Sequence, residues 1–229
     1  MAIQAGEDTF YQAKRGIVQD GLVLNLDAAT STISGTTIYD LTGTDNGTLT
    51  NGPIFNKGKG GHFILDGTDD YIQTATEKAD FTTDNEITIS LWFSLLANTD
   101  TRGLIQFGSG LASGYPWILI RTRGTTAGGG TISWYVDSNY RVSHSYTIGE
   151  ICNICISYDS STWSAYKDAT LDGTYTGPIG TDTGPDFKIG TGYNGRANMN
   201  VYACHIYNRA LTANEVAQNF NATRHRFGV

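Results

Sequence analysis

Residues 86–96, EITISLWFSLL, decide the fold. Ile87, Ile89, Leu91, Phe93 and Leu95 fall on one side, and Thr88, Ser90, Trp92 and Ser94 on the other. Successive side chains alternate across a strand, so a period of two predicts a strand with one face in a core; a helix would repeat near 3.6. The signature recurs in both directions. Upstream lie GLVLNLD (21–27), GHFILD (61–66) and DYIQT (70–74). Downstream come RGLIQFG (102–108), PWILIRT (116–122), TISWYV (131–136) and YRVSHSYT (140–147). ICNICISYD (151–159), STWSAYKD (161–168), DFKIG (186–190) and MNVYACHIY (199–207) complete the set. Loops rich in Gly, Ser and Thr separate them, notably GSGLASGYP (108–116), RGTTAGGG (123–130) and GTGYNGRAN (190–198),.

Composition agrees. The 229 residues include 28 Gly, 31 Thr and 13 Tyr, and only 16% are charged. β-Branched and aromatic side chains suit a pleated, half-buried surface, and Gly supplies turns. One helix is expected at about 212–222, where Thr212 and Glu215 form a T-x-x-E capping box and Val216 and Phe220 make an apolar edge,. The expected architecture is all-β: two antiparallel sheets in a sandwich with a short C-terminal helix. Residues 1–18 are expected to form an N-terminal arm, and 19–229 a single domain ending in a basic tail.

The net charge of −7 argues against a nucleic-acid binder, which needs a basic stripe,. No apolar run is long enough to span a membrane,. MAIQAGEDTF lacks the basic and apolar regions of a secretory signal, so folding in a cytoplasm is expected,. Cys152 and Cys155 spell C-x2-C, but alternation sends the two thiols to opposite faces and no second metal-spaced pair follows,. They are expected in the core.

Several motifs bear on chemistry. Gly190, Gly192 and Gly195 spell G-x-G-x-x-G, yet a strand follows where a dinucleotide site needs a helix,. A sandwich glucanase needs paired carboxylates on one strand; none of Glu7, Glu77, Glu86, Glu150 and Glu215 begins such a run, so no catalytic residue is assigned,. Asp66, Asp69 and Asp70 crowd three carboxylates beside a turn, which suits turn chemistry or a Ca²⁺ site,. Tyr115, Trp117, Tyr193 and Asn194 stand in or beside loops and are the candidate ligand contacts. Lys14, Arg15, Arg224 and Arg226 give the two ends a basic character suited to docking on a partner.

Stretches such as RGIVQDGLVLNLDAA, IYDLTGTDNGTLTNGPIF, GGHFILDGTDDYI, ISYDSSTWSAYKD and IYNRALTANEVAQNF stand in the order found in laminin-G-like, concanavalin A-like jelly-roll domains. The chain resembles most the variant in structural proteins of tailed bacteriophages of marine and cyanobacterial hosts. The resemblance implies a jelly roll closed at one edge by the C-terminal helix. Ala169 stands where that family's hairpin usually has Gly, and no acidic residue precedes VYACHIYNRAL as in calcium-binding relatives. The expected function is a non-enzymatic virion protein, either a capsid decoration or head fibre or a tail-associated protein. It would assemble in the bacterial host cytoplasm against other virion proteins, with self-association left open. The alternative is a lectin module, calcium-assisted or not, that adsorbs to host surface glycans; a polysaccharide-degrading enzyme ranks third.

Overall fold

The computed structural model describes residues 16–43, 45–74, 85–97, 101–108, 118–123, 129–136, 139–179, 187–192 and 195–229. From the N-terminus the strands are β1 (Leu22–Asp27), β2 (Ile33–Ser34), β3 (Thr37–Ile38), β4 (Gly47–Thr50), β5 (Ile54–Asn56), β6 (His62–Asp66) and β7 (Tyr71–Thr74). The middle of the chain gives β8 (Glu86–Leu95), β9 (Gly103–Phe107), β10 (Ile118–Arg123), β11 (Gly129–Val136) and β12 (Asn139–Thr147). Then follow β13 (Cys152–Asp159), β14 (Thr162–Lys167), β15 (Thr170–Thr176) and β16 (Phe187–Ile189). Last come β17 (Thr191–Gly192), β18 (Gly195–Arg196), β19 (Asn198–Tyr207) and helix α1 (Ala213–Thr223).

Among the described residues these strands form two sheets. The first has eight strands in the order β15-β14-β13-β8-β19-β6-β5, with β1 also on β19. The second runs β12-β11-β10-β9-β16-β7-β4-β3-β2, with the β17–β18 hairpin beside β9. Ile87, Ile89, Leu91, Phe93 and Leu95 of β8 all lie in the main core, as their period of two demands. They meet Ile105 and Phe107, Ile118 and Ile120, and Phe187 and Ile189 from the second sheet. The sandwich is therefore the expected one.

Alternation breaks once on β19, and the break is structural. Val201 pairs with Phe93 and Ala203 with Trp92, so Tyr202 is an extra residue. Met199 and Val201 face the core before this bulge, Cys204 and Ile206 after it. A bulge of this kind flips the parity of a strand. The unpaired Tyr202 carbonyl accepts from the Ala28 amide at 2.9 Å, so β1's exit is fastened there.

The outer face of the eight-stranded sheet is closed by α1 and the C-terminal segment. Thr212 Oγ1 accepts from the Glu215 amide, and Glu215 Oε2 accepts from the Thr212 amide at 2.9 Å; the capping box is present. Val216 packs with Val18, Cys155, Tyr166, Tyr207 and Leu211. Phe220 stacks on Trp92 at 5.3 Å, and Phe227 sits 4.6 Å from the same indole and 5.0 Å from Tyr202. Aromatic pairs of this kind add about 0.5–1.5 kcal/mol each beyond their buried area. Val18, assigned to the arm, is packed into the domain instead. Its amide donates to Asn219 Oδ1 (2.8 Å) and its carbonyl accepts from the Tyr207 hydroxyl (3.1 Å). Cys152 and Cys204 lie in the main core and Cys155 under α1; all three are free and buried, and C-x2-C is split between faces.

Candidate functional site

Alternation on the second sheet leaves one residue in two pointing away from the core. Register aligns Gln73, Lys188, Gln106, Leu119 and Tyr135 into a row across β7, β16, β9, β10 and β11. A second row holds Arg121 beside Ser133. A flat, water-washed sheet face would leave these residues open. Here Leu119 is only 1% exposed, Tyr135 and Gln106 7% each, and Ser133 fully buried, so the middle of this face is withdrawn from solvent. Gln73, Lys188 and Arg121 are half-buried around it, and Arg123 is exposed. Arg121 lays its guanidinium 4.0 Å from the Tyr135 ring centre, and Arg196 lies 5.5 Å from that of Tyr71, within cation–π range,. Amide, cationic and aromatic groups thus share one outward face.

Backbone economy shapes this end of the face. A side chain at Gly103 would strike the Gly192 backbone at 2.2 Å, so the β17–β18 hairpin can lie against β9 only because both positions are Gly,. The G-x-G-x-x-G spelling therefore serves chain packing, and a strand follows it as expected.

The acidic turn has its own duty. Ligand oxygens of Asp66, Asp69 and Asp70 lie within 4.8 Å of one another. Asp66 Oδ1 accepts from the Thr68 amide at 2.7 Å, and Asp70 Oδ2 accepts from the Asp66 amide at 3.1 Å. Hydrogen bonds from the Thr68 amide above all, joined by Thr68 Oγ1 and the next two amides, hold the Asp66 carboxyl below its ordinary range. Asp70 moves the other way, mainly through desolvation and then through repulsion by Asp66 and Asp69. The Asp66 carboxylate is thus committed to the turn, whereas crowding at Asp70 is the feature a hard cation would relieve.

The other candidates separate. Tyr115, Trp117, Tyr193 and Asn194, like Lys14 and Arg15, lie outside the described residues. Arg226, expected as a docking residue, is engaged within the fold. Its guanidinium grips the Asp27 carboxylate with two bonds, 2.6 and 2.9 Å, and donates to the Gly60 carbonyl. The partner stands 199 residues away, so local sequence could not announce it. Arg224 is half-buried, with its guanidinium 5.7 Å from the Phe220 ring centre. Of the two C-terminal arginines, Arg226 is thus held by an internal ion pair and Arg224 lies against a ring.

The motifs behind the family likeness also have structural jobs. Asp40 accepts from the amides of Asn25, Thr42 and Asp45, and its own amide donates to Asn46. In YNRAL, Arg209 grips Glu215 with two bonds, and the Leu211 amide donates to Thr88 Oγ1. The outward-face residues Gln73, Gln106, Lys188, Arg121 and Tyr135 were missed by motif reading. Their only signal was outward parity on strands.

A family profile described as "Concanavalin A-like lectin/glucanases superfamily" (Laminin_G_3) matches residues 66–217, and the chain belongs to that superfamily. No curated protein sequence matches it. Among solved structures it is similar to Domain 4 of AbnA, a GH43 extracellular arabinanase from Geobacillus stearothermophilus, in complex with arabinotriose. The two share 18% identity and a TM-score of 0.65, over 88% of this chain and 99% of that one. The Botulinum Neurotoxin Type G Receptor Binding Domain gives 15% identity and 0.65, over 88% and 51%. A Trypanosoma rangeli sialidase complex gives 14% and 0.72, over 92% and 34%. The chain therefore spans about half of the one and a third of the other, and identities this low speak to fold alone.

Proposed function

We propose that this chain is a non-enzymatic glycan-contact module, carried on the particle of a tailed bacteriophage and directed at a host surface polysaccharide. The observation that carries the glycan reading is the row of polar and cationic residues on the outward face of the second sheet. Sugars present hydroxyls around an apolar ring face. A binding surface therefore needs amides and charged donors beside aromatic rings, and the half-buried Gln73, Lys188 and Arg121, with Tyr135 under the Arg121 guanidinium, are of those kinds,. A sandwich domain of similar fold is known in complex with arabinotriose, in keeping with this use. The absence of a glutamate-led carboxylate run from the sequence supports a binding rather than a hydrolytic role,.

The virion assignment rests on the sequence likeness to phage structural proteins, and assembly in a bacterial cytoplasm goes with it. Calcium enters only at Asp66, Asp69 and Asp70. A calcium-dependent rise in melting temperature that Asp69→Asn abolishes would establish it there, and no rise would remove it. The deciding experiment for function is a glycan array with the intact chain, run beside mass spectrometry of purified particles. Array hits lost in Gln73→Ala, with melting unchanged, support the glycan role. No hits in any condition sink it, reducing-sugar release from a bound polysaccharide would replace it with a hydrolase, and absence from particles would sink the virion role.

A further inference from the structure

A cleft of about 250 Å³ opens on the outer face of the eight-stranded sheet, where α1 begins. Parity builds its floor. Ile154, Ile156 and Tyr158 of β13 and Trp163 and Ala165 of β14 face the core, so Ser157, Asp159, Thr162, Ser164 and Tyr166 face the cleft,. Register sets Ser157 beside Ser164. Residues 210–213, ending on the first residue of α1, make the wall. Wall and floor are bonded together: Ser157 Oγ donates to the Leu211 carbonyl and the Leu211 amide donates to Thr88 Oγ1, both at 2.9 Å. The Thr212 hydroxyl is spent on the capping box. Other groups keep capacity. The described hydrogen bonds to Asp159, from the amides of Ser161 and Thr162 and the Ser161 hydroxyl, all end on Oδ1 and leave Oδ2. Thr162 Oγ1 meets the Ser161 hydroxyl at 3.2 Å, and the Ser164 hydroxyl bonds the Tyr166 phenol. Each of these hydroxyls can take a further bond. The Ala213 amide heads α1, where position gives it no intrahelical partner,.

We propose that this cleft binds one neutral polyhydroxylated unit, a sugar ring or a polyol of that size, with Asp159, Thr162, Ser164 and the Ala213 amide as its contacts. The site lies on the other sheet from the outward row of Gln73, Lys188 and Arg121 and does not depend on it. Charge selects the ligand. Asp159 on the floor, Glu86 bonded to the Ala210 amide and Glu215 in the first turn of α1 surround the cleft with carboxylates, which repel an anion. Arg209, next to the wall, is held by two bonds to Glu215 and by Asp20 at 3.0 Å. A bare cation would meet the positive end of α1. A hydroxyl answers both, since it can donate to Asp159 Oδ2 and accept from the Ala213 amide. Size narrows the choice further. At roughly 30 Å³ per water the cleft holds about eight waters,. It falls short of the ~300–1,000 Å³ of sites for drug-sized ligands, so one unit fits and an extended chain does not. Because wall and floor are already fastened, little freedom is lost when the ligand enters,.

The test follows the amide NMR signals of the intact chain during titration with glucose, galactose, arabinose, arabinotriose and glycerol, and with inorganic phosphate and Ca²⁺ as charged probes. Ser164→Val and Asp159→Asn are compared with Gln73→Ala on the other sheet, and melting curves are taken for each. The expected result is that at least one neutral probe moves the amides of Thr162, Ser164 and Ala213, with a Kd on the order of millimolar for so small a ligand. Ser164→Val and Asp159→Asn should each weaken it by at least about fivefold, and Gln73→Ala should leave it unchanged. If Ser164→Val disturbs the sheet, Asp159→Asn still reads the site, because asparagine keeps the Oδ1 acceptor of the turn. Tighter binding of arabinotriose than of arabinose would assign the cleft to the end of a chain, and equal binding to a free sugar. No movement of these amides with any neutral probe would overturn the inference, whatever a glycan array shows. Movement with phosphate or Ca²⁺ alone would overturn it too. Sugar binding lost in Gln73→Ala but kept in both cleft variants would place the sugar on the second sheet, ending this inference and leaving the glycan reading standing.

Discussion

Ala169 shows how one residue can carry opposing energies. Asp168 and Ala169 turn β14 into β15 with φ of 49° and 62°, the left-handed pair that a two-residue hairpin requires,. A non-glycine residue there costs about 1–2 kcal/mol, but the Ala169 methyl packs partly into the cluster under α1, worth up to about 0.8 kcal/mol,. Ala169→Gly should therefore raise stability by no more than about 1 kcal/mol, and Ala169→Val should lower it by more than that, both measurable by urea unfolding. Cysteine offers a cleaner test. Burial pushes the Cys155 thiol up to about 12 and raises Cys152 and Cys204 as well. Thiolate is the reactive form, so none of the three should react with a thiol reagent at neutral pH until the chain unfolds; fast labelling of the native protein would contradict the burial. Both features were half legible beforehand. The Ala in place of Gly and the alternation of Cys152 and Cys155 can be seen in the sequence, whereas the methyl's neighbours and the depth of the thiols depend on packing.

The C-terminal segment behaves as a clasp built from one ion pair and one ring cluster. Asp27 is 8% exposed and already accepts from the Ala29 amide, so Arg226 answers its remaining charge. Arg226→Met should destabilise the fold by about 3 kcal/mol, because it strands a buried carboxylate. Phe227→Ala should cost about 2 kcal/mol by opening the contact with Trp92 and Tyr202,. Calorimetry of each variant checks this, and unchanged melting would mean the segment is only draped on the sheet. Removal of residues 223–229 should therefore destabilise the fold. The helix before this segment was fully legible, since a capping box and an i, i+4 apolar pair are local signals. The clasp was not, because Asp27 and Arg226 meet only once the sandwich exists. Strands β2–β5 were unmarked for a different reason: two to four residues are too few to establish a period,.

For the whole molecule, acid should act in two successive windows. Burial above all, helped by nearby Arg226 and opposed by Asp27, lowers His205 from 6.5 to about 4. The unfolded chain takes up that proton first, so stability falls as pH drops from about 6.5 to about 4. Glu215, brought from 4.5 to about 2 chiefly by its bond to Arg209, contributes stability that is intact above about 4.5 and lost on descending toward 2,. Melting temperature against pH should show both slopes, with His205→Asn flattening the upper and Glu215→Gln the lower; a flat profile between pH 7 and 4 would contradict the first. The architecture was legible because alternation is imposed residue by residue. The outward row was not, since an outward Gln or Lys on a strand looks the same whether it meets water or a ligand; only register gathers Gln73, Lys188, Gln106 and Tyr135 into one row.

The antiparallel pairing of β1 with β19 also fixes how the chain would respond to tension. Leu22 opens β1 opposite Tyr207, at the same end of the pair, while Arg226 is anchored at Asp27, the other end. A pull on both termini would first peel the last residues from Asp27 and α1 from the sheet. The load would then reach β1 and β19 at their shared end and open their hydrogen bonds one after another, like a zip, instead of shearing them together. Stretched between two anchors, this domain would yield early and lengthen in steps, with the second sheet on the far side of the sandwich the last part to feel the force.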